Sequence, residues 1–151
     1  MKLTKYDIIV SQIVRLRANF TCEALSVFHF PDCRRLDPDG QASYKSRIIQ
    51  CSHFRGRGTG FVARHDTDNC RSLCAYCHSY VESRPDDHAY LLRTILGETR
   101  YNLMRERCNK AYKITKVEKA DMYKHYQGEG QRLIKARRSG DMGYIELVNW
   151  F

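Results

Sequence analysis

The run Asn69-Cys70-Arg71-Ser72-Leu73-Cys74-Ala75-Tyr76-Cys77-His78 constrains this chain more than any other stretch. Cys74 and Cys77 stand at C-x-x-C spacing, a knuckle in which two thiolates reach one zinc ion at about 2.3 Å. A tetrahedral site needs a second pair of donors. Cys22 and Cys33 are the upstream candidates, with His29 as a substitute ligand. Zinc held by Cys22, Cys33, Cys74 and Cys77 would tie the irregular stretch 20–35 to the helix expected from Cys77. It would replace apolar core that such a loop-rich region lacks.

The chain carries seven cysteines, an odd number that cannot all pair within it. No stretch combines a basic start, an apolar centre and a small-residue cleavage site, and no apolar run approaches the ~18 residues of a membrane span. The expectation is a cytoplasmic protein with no membrane partner, whose cysteines serve metal rather than disulfides. For Cys51, Cys70 and Cys108 the reading as buried unligated thiols, which is common for free cysteine, stays open beside a metal role.

At 151 residues the chain suits one α+β domain. An N-terminal helix is expected within 1–19, where Ile8, Ile9, Ile13, Val14 and Leu16 fall at helical spacing. A zinc-stabilised core should cover 20–85, and a helical extension 86–151. Within the core, the LDPDG stretch at 36–40 reads as a turn and Ser46–Phe54 as a strand. RGRGTG at 55–60 reads as a turn, and a return strand begins at Phe61–Ala63. The helix from Cys77 ends near Pro85. A further helix covers 86–107, and the last stretch reads as helical to Tyr126, then mixed. Tyr144–Phe151 reads as an apolar tail docking on the domain.

Twenty-six Lys and Arg against seventeen Asp and Glu give a net charge of +9. The commonest physical reason for such an excess is a polyanionic partner. Arg55, Arg57, Arg64 and Arg71 are the densest candidates for phosphate contacts. His29, His65, His88 and His125 lack partners at recognisable spacing and read as surface or core residues.

A second element precedes the knuckle: Cys51-Ser52-His53-Phe54-Arg55-Gly56-Arg57. With Asn69 and His78 it gives a His, Asn, His order across strand, turn, strand and helix. In this the chain resembles the HNH, or ββα-metal (His-Me finger), endonucleases, and among them the small phage and prophage recombination nucleases of the NinG/Rap kind. The resemblance covers the stretches 11–24, 51–57 and 63–78. It implies hydrolysis of DNA phosphodiester bonds with a catalytic divalent ion, Mg²⁺ or Mn²⁺, beside a structural zinc. His53 would be the general base on a water, Asn69 the brace of the turn, and His78 the ligand of the catalytic ion, with Glu82 assisting. It further implies phage or host recombination proteins as partners and a bacterial cytoplasm as the setting.

The sequence departs from that family twice. Ser52 occupies a position where many members have an Asp or His metal ligand, leaving Cys51, Asp66 or water as substitutes. Leu25 stands where the second cysteine of the upstream knuckle is usual, and Cys33 replaces it. The first departure sustains a second reading, a non-catalytic zinc module that binds nucleic acid. A redox role for C-x-x-C ranks last, because the βαβ context is missing.

Overall fold

The computed structural model describes residues 2–33 and 49–151. The LDPDG turn and the first part of the expected strand, 46–48, lie outside these residues. Helix α1 (Lys5–Arg17) opens on a capping box in which Thr4 and Asp7 satisfy each other's backbone N–H groups. It buries Val10, Ile13, Val14 and Leu16. A one-turn helix α2 (Leu25–Phe28) follows, and strand β1 (Ile49–His53) leads through a 3₁₀ turn at Arg57–Thr59 into α3 (Phe61–His65). Strand β2 (Cys70–Cys74) then pairs antiparallel with β1, setting Ile49 opposite Cys74 and His53 opposite Cys70. Helices α4 (Ala75–Glu82), α5 (Pro85–Leu96), α6 (Glu98–Asn109) and α7 (Lys116–Arg138) complete the chain. The described residues are thus α+β, a two-stranded sheet among helices.

Three apolar clusters surround the sheet. The first joins α1 to α7 through Ile13, Val14, Met122, Tyr126 and Leu133, and takes in Leu147 of the C-terminal tail. The second wraps the cysteines with Ile49, Leu73, Val81 and Leu91, and the third holds Ala63, Leu92, Tyr101 and Met104. Each fully buried Leu, Ile or Met contributes roughly 1.5–3 kcal/mol relative to exposure. The tail docks as the sequence predicts: Ile145 N–H donates to the Arg17 carbonyl at 2.9 Å. Arg137 of α7 donates to the carbonyls of Leu16 and Arg17 at 2.6 and 2.9 Å, supplying donors and positive charge to the C-terminal end of α1.

Three boundaries differ from the sequence reading. Residues 61–65 form α3, not a return strand. The return strand is β2, whose Arg71 and Ser72 hide the apolar pattern because their partners are tertiary: Glu23 for Arg71, and the Thr21 carbonyl for Ser72 Oγ. The helix expected over 86–107 breaks at Gly97, whose φ of +76° is costly for a residue with a Cβ. Helix α7 runs past Tyr126 through two glycines, and a Cβ at Gly130 would sit 3.4 Å from Ile13 Cγ2. That glycine therefore marks close approach of α7 to α1, not a helix break.

Between the clusters lies a buried charged layer built on residues 65–72. Glu23 accepts from Arg17 and Arg71 and from the Ser72 N–H. Asp66 pairs with Arg107 at 2.9 Å, and Asp68 with Arg100 and Arg107 at 2.5 and 2.9 Å. Burial pushes the Asp68 carboxyl up, but the Arg100 hydrogen bond and the surrounding guanidiniums outweigh it and hold the group below its ordinary value. Four arginines, Arg17, Arg71, Arg100 and Arg107, are thereby engaged by internal acids.

Candidate functional site

The four thiols of Cys22, Cys33, Cys74 and Cys77 lie within 4.8 Å of one another, and all four residues are buried. Cys33 Sγ and Cys74 Sγ are 4.0 Å apart. Sulfurs at the corners of a tetrahedron around zinc, each about 2.3 Å from it, are about 3.8 Å apart, so the donor set fits the ion. Cys74 is also the N-cap of α4, its sulfur accepting from the Cys77 N–H at 3.4 Å.

Crowding and burial set the thiols apart from one another. A hydrogen bond from Cys77 holds the Cys22 thiol down to about 6, burial pushes Cys33 up to about 12, and the bond to Cys22 with burial raises Cys77. A divalent ion bound by the four sulfurs would displace their thiol protons. His29, the alternative ligand, lies outside this group on the turn after α2.

The opposite end of the sheet carries different chemistry. A cleft of about 280 Å³ is lined by Gln50, Cys51, His53, Arg57 and His78, and on the α1 side by Leu3, Asp7, Ile8, Val10 and Ser11. Its floor is β1 and its far wall is α4. His53 ends β1, and its Nε2 donates to the Arg64 carbonyl at 3.2 Å, which leaves the lone pair on Nδ1. Burial pushes the imidazole down to about 4, so it is neutral at physiological pH. The same direction holds for His78, again by burial, with Glu82 opposing.

Asn69 holds the turn between them. Its Oδ1 accepts from the Arg55 N–H at 2.8 Å, and its Nδ2 donates to the carbonyls of Arg55 and Ala63 at 2.9 and 2.6 Å. The side chain is fully buried, so these backbone groups have a fixed partner in place of water. The clamp sets how the chain leaves β1 and hence where His53 ends.

His78 sits in the first turns of α4. Its Nδ1 donates to Gln50 Oε1 at 2.7 Å, and its Nε2 lies 3.1 Å from Glu82 Oε1 one turn on. Two cis ligands on an octahedral ion are about 3.0 Å apart when each bond is about 2.1 Å, so this imidazole and carboxylate fit one Mg²⁺-sized ion. Gln50 is the residue sequence reasoning missed, because its role depends on α4 crossing β1.

The four arginines expected at phosphate divide. Arg57 is exposed and lines the cleft. Arg55 contributes its backbone to the Asn69 clamp, and its guanidinium lies over the Phe54 ring, 5.9 Å from the centroid. Arg64 pairs with Asp7 and donates to the Lys2 carbonyl. Arg71 is only 1% exposed and bound to Glu23, which removes it from any surface contact. Asp66, one substitute for the missing ligand, is likewise fully buried against Arg107. Ser52 is buried and takes no part in the cleft lining, whereas Cys51 faces it.

A larger, mostly apolar groove of about 820 Å³ borders Thr21, Val27, Ile95 and Tyr144. Its Glu23 has its oxygens engaged by Arg17, Arg71 and Ser72, and His29 also lines it. No helix among the described residues is long and apolar enough to cross a membrane. Comparison of the chain with protein-family models, curated proteins and solved structures finds no match.

Proposed function

We propose that this chain is a divalent-metal-dependent endonuclease of the HNH type that hydrolyses DNA phosphodiester bonds. The observation that carries the reading is the convergence of His53 and His78 on one cleft, with Asn69 clamping the turn that follows His53. These are the residues of the His, Asn, His order, brought together from strand, loop and helix.

In this reading His53 accepts the proton of an attacking water. Its Nε2–H bond to the Arg64 carbonyl fixes the tautomer and stabilises the imidazolium that forms. Its depressed pKa keeps it unprotonated and ready well below neutral pH, at the cost of basicity. Asn69 is a positioning residue. Arg57, exposed at the cleft wall, contacts a non-bridging phosphate oxygen or the adjacent backbone. His78 and Glu82 would hold the divalent ion, which when bound supplies charge stabilisation for the leaving oxygen. Gln50 orients His78 by taking its Nδ1 proton in a hydrogen bond.

A plasmid-nicking assay with Mg²⁺ or Mn²⁺ tests this. Wild type should cut, and His53→Ala should not; equal rates for both would exclude the mechanism. The buried Ser52 favours the second reading, a zinc module that binds nucleic acid without cutting it. That reading predicts salt-dependent DNA binding, no cleavage with any divalent ion, and the same affinity for His53→Ala as for wild type.

A further inference from the structure

We propose that Cys51, His53 and Cys70 form a second metal site, in the floor of the cleft, that takes a thiophilic divalent ion such as Zn²⁺. Donor atoms of these three residues lie within 4.8 Å of one another. The sheet register explains why. His53 stands opposite Cys70 and Cys51 opposite Ser72, and residues paired across strands or two apart along one share a face. Cys51 and His53 line the cleft, which gives an ion and a solvent ligand their way in.

The donor chemistry selects the ion. Two sulfurs and one imidazole match the three-ligand Cys₂His arrangement in which zinc keeps a fourth position open. Mg²⁺ and Mn²⁺ prefer oxygen and discriminate against such a set. Charge also balances, because two thiolates and a neutral imidazole cancel a divalent cation. A neutral unit avoids the desolvation penalty that a lone ion would face beside Cys70, which is fully buried. Binding releases the two thiol protons to solvent. The Arg64 carbonyl serves as the outer partner that fixes a zinc-bound imidazole.

The consequence for activity rests on the nuclease reading. His53 has one lone pair, and an ion that takes it removes the general base. Zinc in the cleft is then an inhibitor, distinct from the zinc held by the four cysteines at the other end of the sheet.

The test uses the full chain carrying its structural zinc, titrated with further Zn²⁺ and, separately, with Co²⁺. Bound metal per chain is measured after dialysis, and cobalt–thiolate absorption reports sulfur ligation. Wild type should take up one further equivalent, with thiolate-to-cobalt bands, and both Cys51→Ser and His53→Gln should lose it. Circular dichroism checks the fold of each, and the cleft-lining His53→Gln decides the matter should Cys51→Ser misfold. No further equivalent in wild type, or unchanged uptake in a folded His53→Gln, overturns the proposal. In Mg²⁺-driven cleavage, added Zn²⁺ should abolish most of the wild-type rate, and Cys51→Ser should need more Zn²⁺ to lose half of its own rate. Absence of cleavage with any ion counts against the nuclease reading alone, because stoichiometry decides the site.

Discussion

At the Ile49–Cys74 end of the sheet the thiols of Cys22, Cys33, Cys74 and Cys77 are sealed among Ile49, Leu73, Val81 and Leu91. At the His53–Cys70 end, four residues along the same strand, histidine and thiol meet a cleft reached by solvent. Both ends gather metal-binding donors. What separates them is the fourth coordination position: filled by protein at the first end, open at the second. A closed site can only hold the chain together, whereas an open one can hold substrate or water.

The largest expected effect breaks the closed end. Cys74→Ser, or a strong chelator, should unfold the chain, since structural zinc contributes about 10–16 kcal/mol in small zinc modules against a total stability of about 5–15 kcal/mol. Loss of the far-ultraviolet circular dichroism signal would register it; a native-like spectrum without metal would show that the apolar clusters suffice. Next comes the open end, where His53→Ala should lower cleavage by about 10²–10⁴-fold with little change in melting temperature.

Arg71→Ala should cost about 3–5 kcal/mol, because Glu23 would keep a buried charge with one guanidinium fewer, and denaturant titration would measure it. The pH dependence has a definite sign. Burial lowers both His53 and His88 from 6.5 to about 4, so the unfolded chain binds more protons in that window. Their contribution to stability is complete above pH 6.5 and is lost as pH falls towards 4. Urea midpoints at pH 7, 5.5 and 4.5 should decline, and His53→Gln with His88→Gln should flatten part of the decline. The smallest effect is expected from Arg57→Ala, which should leave stability within about 0.5 kcal/mol and reduce the salt slope of DNA binding by about 1. An unchanged slope would remove Arg57 from the phosphate surface.

Legibility in the sequence followed how local the determining interactions are. The C-x-x-C spacing and the periodic apolar residues of α1 are local, and the Cys74–Cys77 half of the cysteine cluster and Lys5–Arg17 could be read from them. Strand β2 could not, because Arg71 and Ser72 owe their burial to Glu23 and Thr21, about fifty residues upstream. The arginines show the same limit. Charge density marked four candidates alike, but only the tertiary fold separates an exposed Arg57 from an Arg71 with an internal acid. Gly130 is ambiguous for a related reason, since a glycine placed for helix packing looks identical in sequence to one placed for a turn.

The buried layer around Asp66 and Asp68 has a further consequence, in time rather than in space. Every ligand of the cysteine cluster precedes residue 78, so zinc can close that unit while a ribosome is still extending the chain. Arg100, Arg107 and Asn149, which neutralise or donate to the two aspartates, emerge only afterwards. The loop behind the cleft end of the sheet is therefore fully partnered only once these later segments are in place. Pulse-labelled hydrogen exchange during zinc-supported refolding should accordingly protect Cys74–Val81 amides before those of Thr67–Asn69; simultaneous protection would show that the two ends form as one cooperative step.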